Sequence, residues 1–522
     1  MRAIILVVCA LSVWGCATPT LEGHRELNEW DPRQAALQAP GLPRRVLLIT
    51  VAGLESSDYL DVWGRAAADG ERVRMPNLAR LAREGAMGID ALPPSPGASR
   101  TSHATLATGR LPAGHGIVAD STLDGEGDRA LPFLDSQLLR ATPLWDAAIG
   151  QGVLSLGWPT TAGARVELIV PEVDSAGSWL DSIRPRSSPL IVRALEAIAA
   201  EDLRRTSTGE ASRGRDLSTW PTPAEKDAAL VEVVCRVVDS ERDPGLWLLR
   251  LEQTDPAQRA MGFGSVEADE ALLRVDDGIG AIVGCLAAAG QLDDTAIFVV
   301  GDVAYQPVHS SVAPNVALVR NGLIGRDPRS STGVRSWLAL ARSHGRSAYV
   351  YARDAANALE AREVLEAEGR RSGAFEVVSA KELARAGADP QAWFGLVAAA
   401  GYSIGGELTG AAIRPAGVRG SAGALRLGGP GEGAVGFVAW GRGIRNRVRL
   451  PTLELVDVAP TIAALLGLRL DDKLDGEAHV GLLRAAGSPP PAGPKRLGGE
   501  SGGDVDEALQ EMRRGRELGS GR

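Results

Sequence analysis

Four continuous apolar runs punctuate the chain: VLLITV at 46–51, LWLLRL at 246–251, TAIFVV at 295–300 and FVAW at 437–440. Short runs that do not alternate with polar residues suit strands buried on both faces, as in a parallel sheet. Helical spacing fills the stretches between them. In residues 267–286, Leu272, Leu273, Val275, Ile279, Ile282, Val283 and Leu286 mark one apolar face. Strands alternating with helices predict an α/β fold with a doubly wound, mostly parallel sheet. In such sheets ligands gather at the carboxyl ends of the strands. The first run ends at Ala52, the second leads into Asp255 and the third ends at Asp302, so these positions should converge on one crevice.

Other segments break this rhythm. Residues 204–224 are polar and read as a surface loop, and the Gly-rich strings near 427–433 read as a flexible turn. Residues 325–415 carry a strand-like SAYVYAR and a helix-like AANALEAREVLEAEG of their own. The tail at 485–522, rich in Pro, Gly and charge, is expected to be mobile. At the other end, Arg2 precedes the apolar AIILVVCALSVW, which has the length of a signal peptide and is too short to span a bilayer. It ends in VWGC, which resembles a bacterial lipobox. That resemblance implies cleavage before Cys16 and lipidation of its sulfur, with an ordinary signal peptide as the alternative. Ala17 follows, so the acidic residue of an inner-membrane retention signal is absent, and residues 17–43 read as a tether. The expected location is the cell envelope, lipid-anchored at the outer membrane and facing the periplasm.

Composition narrows the picture. A chain of 522 residues with 44% hydrophobic content can bury one large α/β domain with an insertion. A net charge of −9 argues against nucleic acid as a partner. Beyond Cys9 and Cys16, Cys235 and Cys285 lie in apolar helical patterns and are expected to be buried free thiols rather than a disulfide.

VLLITVAGLESSDYL, MPNLARLAREGA and SRTSHATLATGRLPAGHGIVAD, with LWDAAIGQGVLSLGWPTTAGA, GFVAWGRGI and DVAPTIAALLGL, resemble the type I phosphodiesterase/nucleotide pyrophosphatase family of the alkaline phosphatase superfamily. The resemblance covers most of residues 45–480. It implies an alkaline-phosphatase-like core at 44–324 and 416–484, with 325–415 as a small inserted α/β subdomain. Enzymes of that family hold two metals, usually zinc, on Asp and His ligands around a Thr or Ser nucleophile. Two metals suit in-line displacement at phosphorus.

The ligand pattern is broken here. The first ligand, an Asp in the family, falls on Ala52. The nucleophile slot falls on Ser99, four residues before His103, with Thr101 a weaker candidate. Asp255 and Asp302 stand at retained ligand positions, while three histidine positions fall on Arg259, Val303 and Ala422. The chain has six histidines: His24, His103, His115, His309, His344 and His479. Only His309 lies close in sequence to a retained Asp. A zinc site wants at least three protein ligands, so neither metal position is complete and no bound cofactor is expected. Arg259 can replace coordination by a salt bridge to Asp255 or Asp302, or clamp an anion. The reading is a non-catalytic protein that binds an anionic small molecule or a protein partner. The alternative is an active phosphoric ester hydrolase with a reduced metal site, using Ser99 as nucleophile with Asp302 and His309.

Overall fold

The computed structural model describes residues 42–484 except 62–63, 69–72, 124–129, 175–176, 209–214, 216, 218, 331–332, 427–432 and 472. The signal segment with Cys16, nearly all of the tether, the tail and most of the Gly-rich turn lie outside the described residues.

The main sheet has eight strands: β1 Arg45–Val51, β2 Ala86–Leu92, β3 Val153–Leu156, β4 Leu168–Val170, β5 Leu246–Leu251, β6 Thr295–Gly301, β7 Val435–Gly441 and β8 Val448–Glu454. Their order across the sheet is β8-β2-β7-β6-β1-β5-β3-β4. β1 sits between β5 and β6 and is parallel to both. The expected strand at 437–440 exists, but β7 runs antiparallel to both β6 and β2. Its apolar run reports burial on two faces, which a central antiparallel strand also has; strand direction leaves no mark in that pattern.

The unbroken apolar runs have a direct cause. Val46 and Leu48 of β1 enter one core cluster, whereas Leu47, Ile49 and Val51 enter the other. β6 divides in the same way, with Ile297 and Val299 on one face and Ala296, Phe298 and Val300 on the opposite one. Alternate side chains point to opposite faces, so a strand covered on both sides needs an apolar residue at every position. One layer of helices contains α1 Pro76–Glu84, α3 Pro189–Ser207, α4 Pro223–Val238 and α6 Val266–Ala288. The other contains α2 Ser99–Thr108 and α7 Val458–Leu466. The polar stretch expected as a loop from 204 begins inside α3, which continues to Ser207.

Four shorter strands, at Ala339–Ser343, Ser347–Ala352, Phe375–Ser379 and Phe394–Ala398, form a separate antiparallel sheet backed by the helix Ala355–Ser372. Its apolar cluster is distinct from those of the main sheet and reaches back to Val312. The strand Gln306–Val312 pairs with Gly401–Ile404, Ile413–Pro415 and Gly420–Ser421, so the chain leaves and re-enters the core side by side. Among the described residues, no helix is long and apolar enough to cross a membrane.

Cys235 and Cys285 form a disulfide, which overturns the expectation of free thiols. α4 and α6 pack side by side, and the two cysteines face each other across that seam with Cα atoms 5.6 Å apart. The bridge spans 50 residues of sequence. Loop-closure entropy for a ring of that size is worth about 4 kcal/mol. Replacing both cysteines by serine should therefore lower the unfolding free energy by a few kcal/mol without altering the fold. Denaturant titrations of oxidised, reduced and double-serine protein check this; equal midpoints for all three would refute it.

Candidate functional site

A cavity of about 340 Å³ opens at the carboxyl ends of the main strands. Its walls include Ala52, Ser99, Asp255, Arg259, Asp302, Val303 and Ala422. The positions singled out from sequence thus converge, including Ala422 from the distant segment after the inserted body. The walls also include Arg100, Glu172, Arg250, Tyr305 and His344.

Ser99 opens α2. Its hydroxyl donates to Asp302 Oδ2 at 2.6 Å, and Asp302 is 1% exposed. Burial raises the Asp302 pKa; the nearby Arg250 charge and the Ser99 hydrogen bond oppose that shift. His103 is one turn further along α2 and fully buried. Its Nδ1 lies 2.7 Å from the carbonyl oxygen of Ser99, so that nitrogen carries the proton. Nε2 then accepts from Thr50 Oγ1 at 2.8 Å. Nδ1 is also 3.8 Å from Asp302 Oδ2. Burial and the Arg250 charge push the imidazole pKa down to about 3, so this contact is not an ion pair. His103 braces the start of α2, and its one proton is already committed to Ser99's own backbone.

Thr101 is fully buried within α2 and does not reach the cavity. His115 is buried too, bonded to Thr105 Oγ1 at 3.0 Å. His309 projects from the strand Gln306–Val312, bonds Ser310 Oγ at 2.9 Å and packs edge-on against Tyr402. It is not part of the cavity wall, so Ser99, Asp302 and His309 are not assembled into one group.

The other half of the cavity is closed by protein. α5, Thr254–Met261, places Asp255 and Arg259 one turn apart. Arg259 Nη2 donates to Asp255 Oδ1 at 2.8 Å and to Tyr305 Oη at 3.1 Å. The Tyr305 hydroxyl donates to the same carboxylate oxygen. Of the two partners expected for Arg259, the carboxylate it meets is Asp255. Val303, Tyr305 and Ala422 pack into a small apolar cluster of their own. The Tyr305 ring also lies against Gly53, whose φ of +69° admits the tight turn leaving β1. Among the described residues, no group of three or more His, Cys, Asp or Glu is placed to hold a metal ion. The donor set does not fit a two-zinc centre: Asp255 is engaged by a guanidinium and a phenol, and Val303 and Ala422, where the family resemblance implies histidines, are apolar.

The cavity has an ionic wall that the strand pattern did not bring out. Arg250, the fifth residue of β5, donates to Glu172 at 2.9 Å and lies 3.2 Å from Glu252. Arg100 also clasps Glu172, at 3.0 and 3.1 Å, and Lys226 holds Glu252 at 2.6 Å. Burial opposes the charge on Glu172, but Arg250 and Arg100 outweigh it and hold its pKa below the ordinary carboxylate value. Glu252 is likewise held down to about 2, burial being outweighed by Lys226 and Arg250. Arg250 interrupts a strand that is otherwise apolar, and that lone charge was the signal available in the sequence. Tyr305 left no comparable signal.

An open, mainly parallel sheet with its crevice at the strand ends and a hydroxyl opening a helix there defines an alkaline-phosphatase-like architecture. Residues 46–419 match the sequence model of the type I phosphodiesterase/nucleotide pyrophosphatase family, and the chain belongs to that family. Among solved structures, human ectonucleotide pyrophosphatase/phosphodiesterase 5 superposes with a TM-score of 0.57 at 16% identity, covering 84% of this chain and 100% of that one. The murine protein, both alone and as an inactive variant in complex with AMP, gives a TM-score of 0.55 at 17% identity, over 81% of this chain and 95% of that one. At such identities the likeness is one of fold. No curated protein sequence matches the chain.

His103 and His115 have folded pKa values near 3, against about 6.5 for an ordinary imidazole. Between those values the unfolded chain binds more protons than the folded one. Their contribution to stability is therefore complete above pH about 6.5 and is lost as pH falls through the window toward 3. NMR titration should find both imidazoles neutral at pH 5; a His103 midpoint near 6 would contradict the depression that burial and the Arg250 charge impose.

Proposed function

We propose that this family member is a non-catalytic binding protein of the bacterial cell envelope, built on a phosphodiesterase scaffold whose metal site has been replaced by side chains. The observation that carries the reading is the Asp255–Arg259–Tyr305 cluster. A fixed guanidinium charge stands beside the carboxylate at a metal-ligand position, and Tyr305 supplies the hydrogen bond that coordination would otherwise satisfy. Val303 and Ala422, at positions where the family resemblance implies histidine, pack against Tyr305 and offer no donor, which supports the reading.

Hydrolysis of a phosphate ester needs the nucleophile deprotonated and the leaving oxygen stabilised. Ser99 has Asp302 as its hydrogen-bond partner, and no cation touches its hydroxyl among the described contacts. Arg100 and Arg250 are spent on Glu172. Among the described wall residues, three guanidiniums face four carboxylates, Asp120, Glu172, Asp255 and Asp302, so those residues leave no surplus positive charge for a transferring phosphoryl group. An anionic ligand would meet Arg259 at the half-exposed end of the cavity. The alternative, an active phosphoric ester hydrolase with a single weakly held metal, draws its support from the 2.6 Å contact between Ser99 and Asp302.

The proposed location also has structural support. Disulfides persist in oxidising compartments, and the Cys235–Cys285 bridge fits a periplasmic face. Anchoring through Cys16 would hold the chain to the membrane, since multiple acyl chains anchor stably.

Purified protein should carry well under one tightly bound zinc per chain by elemental analysis, and nitrophenyl phosphate mono- and diesters should not be turned over, with or without added zinc. Ala52→Asp alone should restore nothing. The combination Ala52→Asp, Arg259→His, Val303→His and Ala422→His must also displace the Tyr305 ring before metal can enter. Two tightly bound metals in wild type, or hydrolysis abolished by Ser99→Ala, would establish the alternative instead.

A further inference from the structure

A second cavity, of about 100 Å³, lies where the inserted body meets the core and shares no wall residue with the first. Leu92–Ser95 and Glu454 form its core side, and Arg385 and Ala386 its inserted side. Arg426 enters between them.

Arg426 is poorly matched to its surroundings as a purely structural residue. Its backbone N–H donates to Ser95 Oγ at 2.9 Å, which fixes the stem of the side chain. Its Nη1 is enclosed, with no hydrogen-bond partner. Burial lowers its pKa, and the attraction of Glu454 only partly offsets this. The side chain as a whole is half-buried, but an enclosed charged donor atom without a partner still carries a desolvation cost. Arg385, an exposed residue at the last turn of the helix Ala380–Arg385, borders the same space from the solvent side. One water takes up roughly 30 Å³ of liquid, so the space suits one small tetrahedral oxyanion rather than a nucleotide or sugar. Planar guanidiniums bind such groups through paired N–H donors.

We propose that the seam between the core and the inserted body is an anion site, in which Arg426 and Arg385 hold a single small oxyanion of the phosphate class. The site is independent of whether the first cavity catalyses anything. It stands at the root of the segment that delivers Ser99. Ser95 caps the Arg426 amide and accepts from Tyr349 Oη at 3.4 Å through its carbonyl. Gly97 exchanges backbone hydrogen bonds with the 423–424 segment, at 3.1 and 3.2 Å. A bound anion would tie together residues 92–95, residue 426 and the inserted body, and so fix where Ser99 stands.

Isothermal titration with inorganic phosphate tests this on the full chain. Wild type should bind one phosphate at the seam. Arg426→Gln and Arg385→Gln should each weaken that event roughly tenfold or more, as expected when a charge-assisted hydrogen bond is removed. Glu454→Gln, which removes a competing carboxylate and leaves the arginines in place, should tighten it several-fold. Arg259→Gln should leave it unchanged. Absence of phosphate binding, binding retained in Arg426→Gln but abolished in Arg259→Gln, or no tightening in Glu454→Gln would each overturn the proposal.

Discussion

The crevice is organised around one largely buried cation. Arg250 sits near the end of a strand whose neighbours are apolar, in a region where an unpaired charge would be expensive. Glu172 and Glu252 make its burial tolerable, and Arg100 and Lys226 in turn satisfy those carboxylates. Each partner comes from a different element: Glu172 follows β4, Arg100 lies in the first turn of α2, and Lys226 lies in the first turn of α4. The network therefore fixes how the strand ends and helix starts meet. Asp227 adds to it by accepting the backbone N–H groups of Glu252 and Gln253.

The same electrostatic logic explains the other half of the site. Arg259 neutralises the carboxylate of Asp255. Tyr305 then seals the arrangement, because a phenol can hydrogen-bond a carboxylate while its ring packs on Val303 and Ala422. The result is a self-consistent set of contacts that fully engages Asp255.

The fold was legible because each strand of a two-faced sheet must be apolar throughout, and VLLITV and TAIFVV are. Direction was not legible: β7 has the same composition whichever way it runs. The convergence of Ala52, Ser99, Asp255, Asp302 and Ala422 could be anticipated from strand ends together with family resemblance. The disulfide could not, since the facing of two helical positions 50 residues apart is a property of the packed pair. Tyr305 was hidden for a similar reason, as a tyrosine three residues after Asp302 looks like core until its hydroxyl is seen on Asp255. Arg250 was visible as a charge within LWLLRL, but its four-residue ionic neighbourhood depends on tertiary contacts.

The inserted body does more than interrupt the core. Its turn at Ser343–Gly345 forms part of the first cavity's wall, and Arg346 N–H and Ser347 Oγ grip the backbone of Ala422 and Gly423. The pocket is therefore a joint between two bodies, with its floor on one and part of its rim on the other. Cutting out the inserted segment would take the Ser343–Gly345 side of the rim with it and leave the core residues of the floor more open to solvent.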